Sequence, residues 1–147
     1  MSVRLFSPEQ VDQLIPTLEL LLGGVYVQLA ELNELRQVLE RAGLPVLPEE
    51  LARAPIAPDL AETVAAYTRR IQEVTGELRK VGGLGGIVKD LELGIVDFPA
   101  VWDGKEVYLC WRYGEKAVGY YHDRSSGYPG RKPLSKGRSV VSGVRPN

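Results

Sequence analysis

Apolar residues recur in two rows along the first forty positions: Val11, Leu18, Val25, Leu32 and Leu39 form one, and Leu14, Leu21, Leu35 and Ala42, with Gln28 interrupting, form the other. Alternating steps of three and four residues mark a helix buried along one narrow stripe, and a stripe this regular is a coiled-coil seam. Phe6-Ser7-Pro8-Glu9-Gln10 supplies the start. Ser7 and Gln10 make a capping box, and Pro8 occupies the first helical position, where its missing N–H costs nothing. Pro16 and Gly23-Gly24 strain the helix and predict a bend, because one removes a ladder hydrogen bond and the others weaken the middle. Gly43, followed by Pro45 and Pro48, ends it.

Four of the ten prolines fall between Leu44 and Pro58, which reads as a connector containing a short helical turn near Glu49 to Arg53. A second helix is predicted from Asp59 to Val81, with Leu60, Val64, Tyr67, Ile71, Val74, Leu78 and Val81 on one stripe. Gly82-Gly83 stops it. Two narrow stripes can cover each other in an antiparallel hairpin, but the longer helix then overhangs, and the overhang calls for another partner, either the C-terminal segment or a second chain. A homo-oligomer, dimer or higher, is the expectation.

Beyond the glycines the period changes to two. Ile87-Val88 and Ile95 to Phe98 read as extended, and Trp102-Asp103-Gly104-Lys105 carries the Asp-Gly signal of a two-residue hairpin turn. That turn sets Ala100 opposite Val107, Phe98 opposite Leu109, Asp97 opposite Cys110 and Val96 opposite Trp111. A second turn near Gly114-Glu115 would return Ala117 to His122 with Val118 and Tyr120 on the apolar face. Asp97, Tyr108, Cys110, Arg112 and Tyr121 would then share the polar face. The fold expected is α+β: a long antiparallel, coiled-coil-like helical hairpin over residues 1–86, packed with a small antiparallel sheet and motif loop over residues 87–134. A basic flexible tail follows over residues 135–147.

Composition changes this picture little, and charge somewhat more. With 147 residues and 44% hydrophobic content the chain has the size and core of one globular domain. The net charge of -1 conceals a split, since residues 1–95 carry nine Lys/Arg against fourteen Asp/Glu while residues 124–147 carry six Lys/Arg and no acid. A single Cys rules out an intramolecular disulfide and suits a reducing cytoplasm. No signal peptide is visible, and no uninterrupted apolar run approaches the roughly 18 residues of a membrane span, so no membrane partner is expected.

Residues able to do chemistry gather between Ile95 and Leu134, which holds both Trp, the only Cys, the only His and five of the seven Tyr. By the register above, Cys110 and His122 point to opposite faces and cannot share an ion. A zinc site would also need two carboxylates, so no metal or other cofactor is expected. His122 reads as a polar residue closing the core face, with acid–base work beside Asp123 or another carboxylate as the alternative. Cys110 reads as a small packing residue, with a reactive thiol activated by Arg112 as the alternative. Asp97, a poor strand former in mid-strand, reads as an ion-pair partner of Arg112 or as part of a polar pocket with Arg112, Tyr108 and Tyr121, which Asp90 and Glu92 could join. Gly82-Gly83-Leu84-Gly85-Gly86 lacks the Lys-Ser/Thr of a phosphate loop and follows a helix instead of a strand, so it reads as a flexible joint. The basic residues of the tail are spread out beside an acidic body, which makes nucleic acid an unlikely partner.

The run Gly94-Ile95-Val96-Asp97-Phe98-Pro99-Ala100, then Asp103-Gly104-Lys105-Glu106-Val107-Tyr108-Leu109-Cys110-Trp111-Arg112, Gly114-Glu115, Tyr121-His122 and Gly127-Tyr128-Pro129-Gly130-Arg131-Lys132-Pro133-Leu134, resembles a bacterial family known as domain of unknown function 2203. The resemblance extends to the Phe6-Ser7-Pro8-Glu9 helix start and covers all but about the last dozen residues. The family pattern has Trp before the His and Phe in the Gly-aromatic loop, where this chain has Tyr121 and Tyr128. The resemblance implies a helix-then-sheet plan, supplies no activity, and directs attention to Asp97, Arg112, Glu115, His122 and Arg131.

Two function classes remain open. One is a non-enzymatic, oligomeric binding or adaptor protein whose recognition surface, for a small anionic ligand, comprises Asp97, Tyr108, Arg112, Glu115, Tyr121, His122 and Arg131. The other is a small hydrolase or lyase using Asp97 or Glu115 with His122 and an arginine. A weaker third is nucleic-acid binding through the tail.

Overall fold

The computed structural model describes residues 4–134. Helix α1 (Pro8–Arg41) starts as the capping box requires: Gln10 N donates to Ser7 Oγ at 3.1 Å and Ser7 N to Gln10 Oε1 at 2.9 Å. It runs unbroken through Pro16 and Gly23-Gly24, although Pro16 has no N–H to give the ladder. Val11, Leu18, Val25 and Leu39 are buried as expected, but their buried companions are Ile15 and Leu22 instead of Leu14 and Leu21. Gly43, at φ +78°, ends the helix. A short helix α2 (Pro48–Leu51) and a 3₁₀ turn (Pro58–Leu60) lead into α3 (Ala61–Gly83), two residues displaced from the helix read in the sequence.

Contacts divide the chain into two compact units, one of residues up to 22 with residues from 79 onward, the other Gly23–Leu78. In the second unit Leu39, Leu51 and Tyr67 form a buried cluster with Val64 and Ile71 packed on it. The Tyr67 hydroxyl donates to the Val46 carbonyl at 2.8 Å, and Arg70 reaches Glu31 across the helix pair at 3.2 Å.

In the first unit β1 (Ile87–Asp90), β2 (Ile95–Trp102), β3 (Lys105–Arg112), β4 (Tyr120–Asp123) and β5 (Lys132–Pro133) form one antiparallel sheet in chain order. The β2–β3 register is the one the Asp-Gly turn dictates, with Asp97 opposite Cys110 and Phe98 opposite Leu109. Asp103 and Gly104 take φ of 56° and 77°, the left-handed pair that such a turn needs. Val96, Phe98, Ala100, Val107, Leu109 and Trp111 are buried on one face. Phe6 meets that face, its ring edge-on to Phe98 with 5.1 Å between centroids and its N–H bonded to the Pro99 carbonyl.

The β3–β4 connection differs from the tight turn read in the sequence. Residues 113–119 form a loop. The Glu115 carbonyl accepts from Trp111 Nε1, Val118 is buried, and its N–H donates to Asp12 Oδ1 at 2.8 Å. The chain re-enters the sheet with Tyr120 opposite Cys110 and His122 opposite Tyr108. The register is therefore one residue away from expectation, and each β4 side chain changes face.

The glycine run is also more than a joint. Gly85 sits at φ +101° with its Cα against the Phe6 ring, and a Cβ on Gly86 would lie 2.8 Å from Val96 Cγ1. Glycine here lets the end of α3 approach the sheet core.

By length and average composition α1 is long and apolar enough to cross a bilayer. On α1 Leu20 is 79% exposed and Val27 64%.

Candidate functional site

The slip in register brings together groups that the sequence reading had set apart. Asp97 on β2, Cys110 on β3 and His122 on β4 lie side by side on the face away from Phe98, and their ligand atoms all fall within 4.8 Å of one another. All three are buried, Asp97 at 1% exposure and His122 at 2%. The expectation that Cys110 and His122 point apart is thus wrong, and the argument it gave against a shared ion falls with it. His122 does not close the core face. Tyr121 does, turned with Trp102 toward a small cleft of about 180 Å³ that also holds Lys105 and Lys132. That volume is below the roughly 300–1,000 Å³ of small-molecule pockets.

His122 is held from both sides. Its Nδ1 lies 2.7 Å from the Asp123 carbonyl and its Nε2 2.8 Å from Asp97 Oδ2. A carbonyl only accepts, so Nδ1 carries a hydrogen and donates it, and the short Nε2 to Oδ2 contact then shares one further proton between ring and carboxyl. Burial pushes the Asp97 carboxyl above its ordinary value, opposed by the charge and hydrogen bond of His122 and by Lys89. Lys89 Nζ, on β1, is 4.0 Å from Oδ2. Asp97 Oδ1 is buried without a hydrogen bond of ordinary geometry, and the group beside it is the Cys110 thiol, a weak donor.

Burial, then the Asp97 charge, pushes the Cys110 thiol up to about 12. A thiol so placed stays protonated near neutrality and is no nucleophile. Because its folded pKa lies above the unfolded value of 9.0, the folded chain keeps a proton that the unfolded chain has released between those two values. This contribution to stability is whole below pH 9 and fades as pH rises toward 12, by about 1.4 kcal/mol per pH unit. Urea denaturation across that alkaline range should show a steeper loss for the natural chain than for Cys110→Ala. Equal slopes would mean that the thiol is not buried.

Around this centre the face is cationic and aromatic. Arg131 lies over the Tyr120 ring at 3.9 Å and the Tyr128 ring at 4.6 Å, with Lys89 and Arg124 over Tyr108 at 4.5 and 5.2 Å. Glu115 grips Arg131 through both carboxylate oxygens, at 3.2 and 2.7 Å, and accepts from Arg112 N. Burial works against the Arg131 charge, but the hydrogen bond and charge of Glu115 outweigh it and raise the pKa. The Arg112 guanidinium donates to the Tyr128 hydroxyl at 2.9 Å. It does not pair with Asp97 as the sequence suggested, and no carboxylate pairs with it among the described residues. Asp90 Oδ1 accepts from Leu93 N and holds the β1–β2 turn, and Glu92 is exposed, so neither joins the cluster. Asp123 accepts from Ser125 and Ser126, and those bonds, Ser126 first, hold its carboxyl below the ordinary value.

The site expected from the sequence is thus gathered in part. Asp97, Tyr108 and His122 meet directly, Arg112, Glu115 and Arg131 form the adjoining network, and Tyr121 lies on the other face. Lys89, Tyr120 and Tyr128 were missed as members, and Cys110 was read as packing or as a thiol activated by Arg112, not as a neighbour of His122. Correct pairing of Tyr120 with Cys110 would have exposed the first tyrosine, whereas nothing local marks Lys89.

The model of the uncharacterized conserved protein family DUF2203 matches residues 4–134. The chain belongs to that family. Its matched span takes in every residue of the Asp97–His122 cluster and of the Glu115–Arg131 network. Comparison with curated proteins and with solved structures finds no match.

Proposed function

We propose that this DUF2203 chain is a self-associating, non-enzymatic binding protein that holds a small anionic ligand on the polar face of its sheet. The observation that carries the reading is Arg112, whose guanidinium has a tyrosine hydroxyl and, among the described residues, no carboxylate as its partner, beside a row of cations stacked on Tyr108, Tyr120 and Tyr128. A planar fork with spare donors next to aromatic rings suits a carboxylate or phosphate. The competing reading, a hydrolase or lyase, is less well supported, because Asp97 and His122 are closed to solvent and Glu115 is committed to Arg131. Self-association is supported by Leu20 and Val27, seven residues apart on α1 and exposed.

The test is a thermal-shift screen of anionic metabolites, run with sedimentation equilibrium. A ligand that raises the melting temperature should lose that effect with Arg112→Ala and keep it after truncation beyond Leu134, while Leu20→Glu should dissociate the oligomer without unfolding it. Binding lost by the truncation and kept by Arg112→Ala would move the site to the basic tail, which lies outside the described residues. A monomer at every concentration would remove self-association.

A further inference from the structure

We propose that Asp97, Cys110 and His122 form a binding site for one divalent transition-metal ion of the zinc class. The donor set is one thiol sulfur, one imidazole nitrogen and one carboxylate, the three side-chain types that bind zinc and its near neighbours. Bonds of about 2.0 Å to nitrogen and oxygen and about 2.3 Å to sulfur place the ligand atoms of a tetrahedral ion roughly 3.3–3.7 Å apart. The cluster brackets that spacing, from 2.8 Å between Nε2 and Oδ2 to an outer limit of 4.8 Å. Opening the His122–Asp97 contact by about half an ångström and drawing the widest pair in by up to about an ångström would bring all three to that spacing.

Two further features point to a cation and not to packing alone. Asp97 Oδ1 is buried without a hydrogen bond of ordinary geometry, and the Cys110 thiol beside the carboxyl is only a weak donor, a poorly satisfied state that one positive ion among these groups would relieve. His122 already has the orientation of a metal-bound imidazole, with Nδ1–H fixed on the Asp123 carbonyl and Nε2 turned toward the other two ligands. Strand pairing sets all three on one rigid surface, since Asp97 is opposite Cys110 and His122 is in the neighbouring pair. The ion replaces the thiol proton and the proton shared by ring and carboxyl, which leave to solvent. Thiolate and carboxylate then balance its two positive charges. Three protein ligands leave the fourth position for a solvent oxygen. Lys89, whose side chain is 41% exposed, has its ammonium 4.0 Å from Asp97 Oδ2 and so links the buried cluster to the surface. The proposal stands on the cluster alone and is independent of any anionic ligand.

The chain has one Cys and one His, so the metal-bound protein reports its own ligands. Titration of the full chain with cobalt(II) should saturate at one equivalent. It should give the near-ultraviolet charge-transfer band of a sulfur–cobalt bond and the intense visible bands of a four-coordinate ion. Zinc should bleach both by displacement, and bound metal should slow alkylation of Cys110, measured in mild urea where opening of the fold exposes the thiol, at least about tenfold. Cys110→Ser should remove the charge-transfer band and weaken cobalt binding by at least about tenfold. Should that variant fail to fold, the spectrum and the alkylation protection of the natural chain decide. No bound cobalt, or cobalt bound without the sulfur band and without protection of Cys110, overturns the proposal.

Discussion

Replacing His122 by Ala should lower the stability of the chain by about 3 to 5 kcal/mol in urea denaturation, among the largest losses available to a single polar side chain here. The imidazole is the direct hydrogen-bond partner of Asp97, whose exposure is 1% and whose second oxygen has no hydrogen bond of ordinary geometry. Its removal strands a carboxyl in the sheet with Lys89 at 4.0 Å as the nearest compensation. Asp97→Asn keeps the volume and one hydrogen bond to Nε2, so its expected cost is smaller, about 1 to 2 kcal/mol. A pair of aliphatic replacements, His122→Leu with Asp97→Leu, should recover much of the loss, because no polar group is then left alone. A cost below about 1 kcal/mol for His122→Ala would show that the pair is solvated in solution. The expectation contrasts with the exposed Asp97–Arg112 pair suggested by sequence, for which substitution would have been nearly silent.

The difference between those two pictures lies in how register is encoded. Across β2 and β3 it was legible, because Asp103-Gly104 permits one two-residue turn and that turn fixes each pair from Trp102–Lys105 to Ile95–Arg112. Across β3 and β4 it was not. Gly114, at φ +100°, gave a turn signal that is real, but the connection runs on through Val118, held by Asp12 from 106 residues away. No local pattern announces a hydrogen bond of that separation, and a slip of one residue was enough to send His122 to the wrong face. Helix existence and the α+β class were legible because they rest on periodicity, as was the burial of Cys110. What Cys110 is buried against is a tertiary fact. The arginine network was reached by motif resemblance more than by physics, since Glu115 touches Arg131 only through the 3₁₀ turn at Tyr128–Gly130 that folds the loop back.

Gly85→Ala should destabilise the chain by about 2 to 4 kcal/mol, a larger effect than a loop glycine ordinarily shows. Two costs add at this position. The backbone φ of +101° is strained for any residue with a Cβ, at about 1 to 2 kcal/mol. The added methyl would also enter the Phe6 ring, 2.7 Å from Cε1, where Phe6 is buried edge-on against Phe98 and its N–H is tied to Pro99. Overpacking of that kind costs about 1 to 3 kcal/mol, because the ring cannot turn aside without breaking its contact with the sheet. Gly83→Ala is the control: nothing lies within 4 Å of its Cβ position and its φ is not positive, so it should leave stability within about 0.5 kcal/mol or raise it slightly. The pair of substitutions, two residues apart in one glycine-rich run, separates a flexible joint from a packed one. A joint would tolerate both equally, whereas Phe6 relief through Phe6→Leu should rescue part of Gly85→Ala and none of the backbone strain. If both alanines are tolerated, the end of α3 does not pack on the Phe6–Phe98 contact in solution, and the glycines serve the chain's flexibility after all.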